Sequence, residues 1–128
     1  MKRLPRLIYG LAIVVGLSLT SGCVDPAMVE SADYGVEPTA TQYELAIRSY
    51  MEKSLKDPES ARYKFFAPSK GWTRLHGQTF FGWFVTAQVN AKNSFGGYTG
   101  AQTYVFFFFN GQFMGEINPT LSGAKLGG

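Results

Sequence analysis

Residues 103–109, Thr-Tyr-Val-Phe-Phe-Phe-Phe, constrain the fold of this chain more than any other stretch. They carry no charge, and extended backbone sends successive side chains to opposite faces, so two phenyl groups leave each side of any sheet this strand joins. Left at an edge, such a strand recruits other chains. It is therefore expected to be central, with both faces covered. Asn110-Gly111 follows it, the pair best suited to the two positive-φ positions of a type I′ turn. Residues 112–117 then read as the returning strand.

The same period of two runs upstream. In 80–92, Trp83, Val85, Ala87, Val89 and Ala91 alternate with Phe84, Thr86, Gln88, Asn90 and Lys92, so the first set is predicted to face a core. Residues 61–67 read as another strand and 71–75 as a weaker one. Before them the period lengthens. Tyr43, Ile47, Tyr50, Met51 and Leu55 share one helical face, and Glu44, Arg48, Glu52 and Lys56 step along another. Thr41 and Glu44 have capping-box spacing. Pro58 disfavours helical geometry at Asp57, which predicts a helix end near Lys56. The expected fold class is α+β: one N-terminal amphipathic helix packed on an antiparallel sheet of four to five strands, over residues 39–117. A domain of about 80 residues without disulfides is marginal; the 16% aromatic content compensates.

The formal charge of +3 belongs to the start of the chain. Lys2, Arg3 and Arg6 precede an apolar run over 7–19, followed by Thr20-Ser21-Gly22-Cys23. That is the layout of a secretory signal peptide, residues 1–22, whose apolar run is shorter than the roughly 20 residues needed to span a bilayer. Without it nine basic residues balance nine acidic ones, which argues against nucleic acid as a partner. Residues 23–38 contain four carboxylates, Asp25, Glu30, Asp33 and Glu37, and no basic residue, and are expected to form an extended acidic tether. From Thr39 onward nine basic residues face five acidic ones. Residues 118–128 are expected to form a flexible tail.

Thr20-Ser21-Gly22-Cys23 resembles the bacterial lipoprotein signal, or lipobox, although Thr20 stands where a leucine is usual. The resemblance implies acylation of the Cys23 thiol, typically with palmitate, cleavage after Gly22, and attachment to a membrane through the N-terminal lipid. Val24 after the cysteine favours the outer membrane with the domain facing the periplasm; a host with one membrane would carry the protein on its outer face. A second resemblance joins Asp57-Pro58-Glu59-Ser60-Ala61 to the stretch 90–100, Asn-Ala-Lys-Asn-Ser-Phe-Gly-Gly-Tyr-Thr-Gly. The pair is similar to small bacterial lipoproteins and exported proteins with a helix, a DPxSA turn and an NAKNSFGGYxG loop. It implies an exported domain and brings no reaction with it.

Asn90, Lys92, Asn93, Gly96, Gly97 and Tyr98 form the candidate binding loop: free backbone amides, amide side chains and one ammonium suit a carboxylate or phosphate. The alternative is a tightly built strand connection, the usual work of glycine-rich turns. Nucleotide fingerprints are absent. One cysteine and one histidine allow neither a disulfide nor a cysteine-built zinc site, so no metal or cofactor is expected. His76 sits in a turn, where a surface role outweighs a catalytic one. Asp57 is expected to cap the turn ending at Ser60, and Asp57 and Glu59 are the one close carboxylate pair. These residues point to a non-catalytic envelope lipoprotein that binds or scaffolds another envelope protein, with no small-molecule substrate. An exclusion or immunity lipoprotein that blocks an incoming protein is the second reading. A small hydrolase, which would have to draw on His76, Asp57 and Glu59, is the last.

Overall fold

The structure is a computed structural model and describes residues 24–124. Residues 1–23, where the signal peptide and the acylated Cys23 are expected, and residues 125–128 lie outside the described residues. The protein is α+β, with a short helix α1 (Pro26–Ser31), a longer helix α2 (Ala40–Glu52) and strands β1 (Arg62–Phe65), β2 (Ser69–Leu75), β3 (Gln78–Asn90), β4 (Gln102–Phe109), β5 (Gln112–Glu116) and β6 (Ser122–Ala124). They form one antiparallel sheet of six strands, not the four to five expected, in the order β5-β4-β3-β2-β6. β1 pairs with β3 as well, beside β2. Two short 3₁₀ turns, Pro58–Ser60 and Pro119–Leu121, complete the elements.

β3 organises the sheet. Its first half pairs with β2 and its last four residues with β1, on the same side, while β4 covers its other edge. β1 and β2 thus act as one long strand interrupted at 66–68, where the register slips by one residue and Pro68 sits. Proline lacks an N–H and is tolerated where a ladder bulges. Phe66 still donates its N–H to Thr86, 3.0 Å.

The period-two pattern sorts the two faces. Val85, Ala87 and Val89 point to α2 and pack with Ile47, Met51, Phe106 and Phe108. Phe107 points the other way and is nevertheless 1% exposed. Its ring lies over Gly82, and the ring of Phe84 lies over Gly71; a Cβ at either glycine would stand 2.4 Å from the nearest atom. Two glycine notches therefore let aromatic rings close down on the sheet. β4 is central, as an uncharged aromatic strand requires. Asn110 and Gly111 take φ of 52° and 84°, the positive pair of the predicted turn, and His76 and Gly77 repeat it between β2 and β3 at 51° and 81°.

Expectations are also corrected at three places: at α2, in the acidic segment and in the tail. The capping box of α2 is Thr39 with Gln42, not Thr41 with Glu44: Gln42 N–H donates to Thr39 Oγ1 (3.3 Å) and Thr39 N–H to Gln42 Oε1 (2.9 Å). Thr39 is extended after Pro38, and glutamine closes the box as well as glutamate does. The helix also ends at Glu52 rather than near Lys56, and a turn through Ser54 and Leu55 follows. Second, the acidic segment is not a free spacer. Asp25 caps α1 through Ala27 N–H, 2.8 Å. Tyr34 is buried against Phe81, and Trp83 donates its indole N–H to the Gly35 carbonyl, 3.1 Å. An aromatic ring among the carboxylates, with a sheet-bound indole to receive the backbone, outweighs the chain's entropy. Third, the described part of the tail, 118–124, is built into the sheet. Asn118 caps the second 3₁₀ turn, and Ser122 Oγ lies 3.1 Å from Thr73 Oγ1, giving β2 an outer partner.

The route into β6 bends the sheet. From Glu116 to Ser122 the chain has six steps, at most about 20 Å when extended, and a 3₁₀ turn shortens it. A flat sheet would hold β5 and β6 about 19 Å apart, before any offset along the strands. Residues 117–121 can therefore cross between the two edges only because the sheet curls, and they form a strap over the face away from α2.

Candidate functional site

The face away from α2 is the open one. Strap and sheet enclose a cleft of about 570 Å³, lined by Phe84, Thr86, Thr103, Val105, Ile117 and Ser122 among others. Hydroxyls and apolar groups alternate around it. Its volume is that of a pocket for a small molecule or a protruding side chain. Glu116 lies at its rim, and its carboxylate accepts a hydrogen bond from the Tyr50 hydroxyl, 3.3 Å. Burial, and then the Glu116 charge, raise the pKa of Tyr50, so this phenol stays a donor. Nothing in the sequence marked the cleft, because it exists only through the strap.

The two motifs, some thirty residues apart in sequence, meet beside this face. Ser60 Oγ accepts the Lys92 N–H, 2.9 Å, and donates to the Asp57 carbonyl, 2.7 Å. The Tyr98 hydroxyl donates to the Ser60 carbonyl, 3.1 Å. The loop is a braced hairpin, closed by a bridge between Lys92 and Tyr98. Asn93 Oδ1 accepts the N–H groups of Phe95 (2.8 Å) and Gly97 (3.2 Å), while Asn90 Oδ1 accepts that of Gly100 (3.1 Å). Gly96 supplies a φ of 82° at the turn. The amides of 95, 97 and 100, expected to be free for an anion, are thus held by side chains of the loop itself. Asp57 caps no amide with its carboxylate; its main-chain carbonyl takes the bonds from Ser60 instead.

The braced loop turns other groups outward. Phe95, at the tip, is 95% exposed. Behind it the Arg62 guanidinium lies 4.0 Å from the centre of the Tyr98 ring and Lys92 Nζ lies 5.6 Å from it. Lys64 Nζ is 5.2 Å from the half-exposed Phe66 ring. Arg62 and Lys64 pair across to Asn90 and Gln88, which places them on the open face. A second cleft of about 180 Å³, touching Lys56, Lys92, Asn93 and Thr99, lies beside the hairpin.

His76, Asp57 and Glu59 are not brought together. His76 is exposed in the turn entering β3; Asp57 and Glu59 precede β1, at the far end of β3, about 40 Å away at 3.3 Å per residue. Cys23 lies outside the described residues. Among the described residues no helix is long and apolar enough to cross a membrane.

Compared with protein-family models, curated proteins and solved structures, the chain matches none.

Proposed function

We propose that this chain is a non-catalytic, lipid-anchored protein of the bacterial cell envelope that binds or scaffolds another envelope protein. The observation that carries the reading is Thr20-Ser21-Gly22-Cys23, which closes a basic-then-apolar leader with the one cysteine of the chain. Acyl chains on Cys23 attach the domain to the outer membrane on its periplasmic side. Two or more chains are needed, because one holds only weakly. Among the described residues α2 is the one long helix, and it backs the sheet. The open face, at the cleft under the strap, receives the partner. Tethering is the mechanism: holding both components on one surface raises their effective concentration without any chemical step.

Metabolic labelling with a palmitate analogue tests the anchor. Wild type takes up label and fractionates with membranes, and Cys23→Ser loses both properties. A processed, unlabelled wild-type protein recovered in the soluble fraction would overturn the proposal.

A further inference from the structure

The tip of the hairpin and the cations behind it point to a second contact. We infer that Phe95 enters the interfacial layer of an anionic phospholipid bilayer while Arg62, Lys64 and Lys92 engage its phosphates. The inference goes beyond the acyl anchor and does not require it. Three observations lead to it. Phe95 is 95% exposed, and its neighbours at the tip, Asn93, Ser94, Gly96 and Gly97, are small and uncharged. One aromatic group alone falls far short of the roughly 800 Å² per partner of a stable protein interface, yet it suits the boundary between headgroups and acyl chains. The hairpin is also pre-organised, since Asn93, Asn90, Tyr98 and Ser60 already hold it. Insertion therefore costs little ordering.

The third observation is charge. Arg62, Lys64 and Lys92 follow the tip along one face, interleaved with Tyr98 and Phe66. Among the described residues none of them is ion-paired, although Asp57 and Glu59 stand in the preceding turn. The three cations are thus free to meet lipid phosphate. The open face beyond the hairpin, with the cleft under the strap, stays available to a protein.

Photocrosslinking tests this. The full-length chain, with benzoylphenylalanine at position 95, is reconstituted into phosphatidylcholine vesicles with or without about 30 mol % phosphatidylglycerol. A probe at position 76, at the opposite end of β3, is the reference. Lipid adducts at 95 are expected in the anionic vesicles and close to background in neutral ones. Lys64→Ala and Lys92→Ala are each expected to lower the yield about five-fold, and raised salt to do the same. Adducts at 76 are expected not to depend on lipid charge. Equal yields at 95 in both vesicle types, adducts to protein alone, no adducts, or the same charge dependence at 76 would each overturn the inference. Loss of palmitate labelling alone would not.

Discussion

Glycine does two different jobs in this chain, and only one shows in the sequence. Gly96, Gly97 and Gly100 cluster visibly, yet a Cβ at any of them would meet nothing within 4 Å. Gly82 looks like a flaw in a strand and is the tighter position: its absent Cβ leaves room for the Phe107 ring and the Phe108 carbonyl. Gly82→Ala is therefore expected to destabilise the fold by about 1–3 kcal/mol, the usual range for overpacking a core. Gly97→Ala, with open space around it and no positive φ, should stay within about 0.5 kcal/mol of wild type. Urea denaturation of both variants decides the comparison. Equal losses would mean that the aromatic face is looser than its geometry implies.

Hairpins and edges show where local patterning suffices. β3, β4 and β5 were legible because alternation and the Asn110-Gly111 turn act between neighbours in the chain. β6 and the docked N-terminal segment were not. Each depends on a contact between distant residues, Ser122 with Thr73 and Tyr34 with Phe81, and polar or acidic sequence around them reads as loop. The loop at 90–100 was recognisable as a unit, but not its purpose. Asn93 and Ser60 carry no signal of where their bonds go until the 3₁₀ turn is laid against the hairpin. Ser60→Ala removes the acceptor of the Lys92 amide and a donor to Asp57. It is expected to cost about 1–3 kcal/mol, the penalty for leaving a partly buried group unsatisfied. Hydrogen exchange should show the Lys92 amide losing protection while the β3–β4 ladder keeps it. Unchanged exchange there would remove Ser60 as the brace.

Three tyrosines tie the outer layers to the sheet, and together they set the response of the protein to alkali. Burial raises the pKa of Tyr34, Tyr50 and Tyr63; Glu30, Glu116 and Glu52 respectively add to the rise, while Arg48 opposes it at Tyr63. The unfolded chain ionises first, near pH 10. Their contribution is thus complete below that pH and is lost as pH rises through the elevated folded-state values. Denaturation midpoints are expected to hold steady below about pH 9.5 and then fall. Tyr50→Phe should make the fall shallower, because one fewer raised phenol then titrates. A slope unchanged by that substitution would place the alkaline weakness elsewhere.

Amino-acid order alone settled the α+β class, the aromatic central strand and its turn, and the amphipathic helix. It also holds the basic-then-apolar start and the Cys23 on which the proposed anchor rests. Each of these follows from interactions within a turn or between adjacent strands, where spacing along the chain equals spacing in space. The curled sheet, the strap with its cleft, the packed acidic segment and the outward turn of Phe95 and its cations were decided by tertiary structure. They arise where residues many positions apart share a face, and no one-dimensional period encodes which distant surface a side chain will meet.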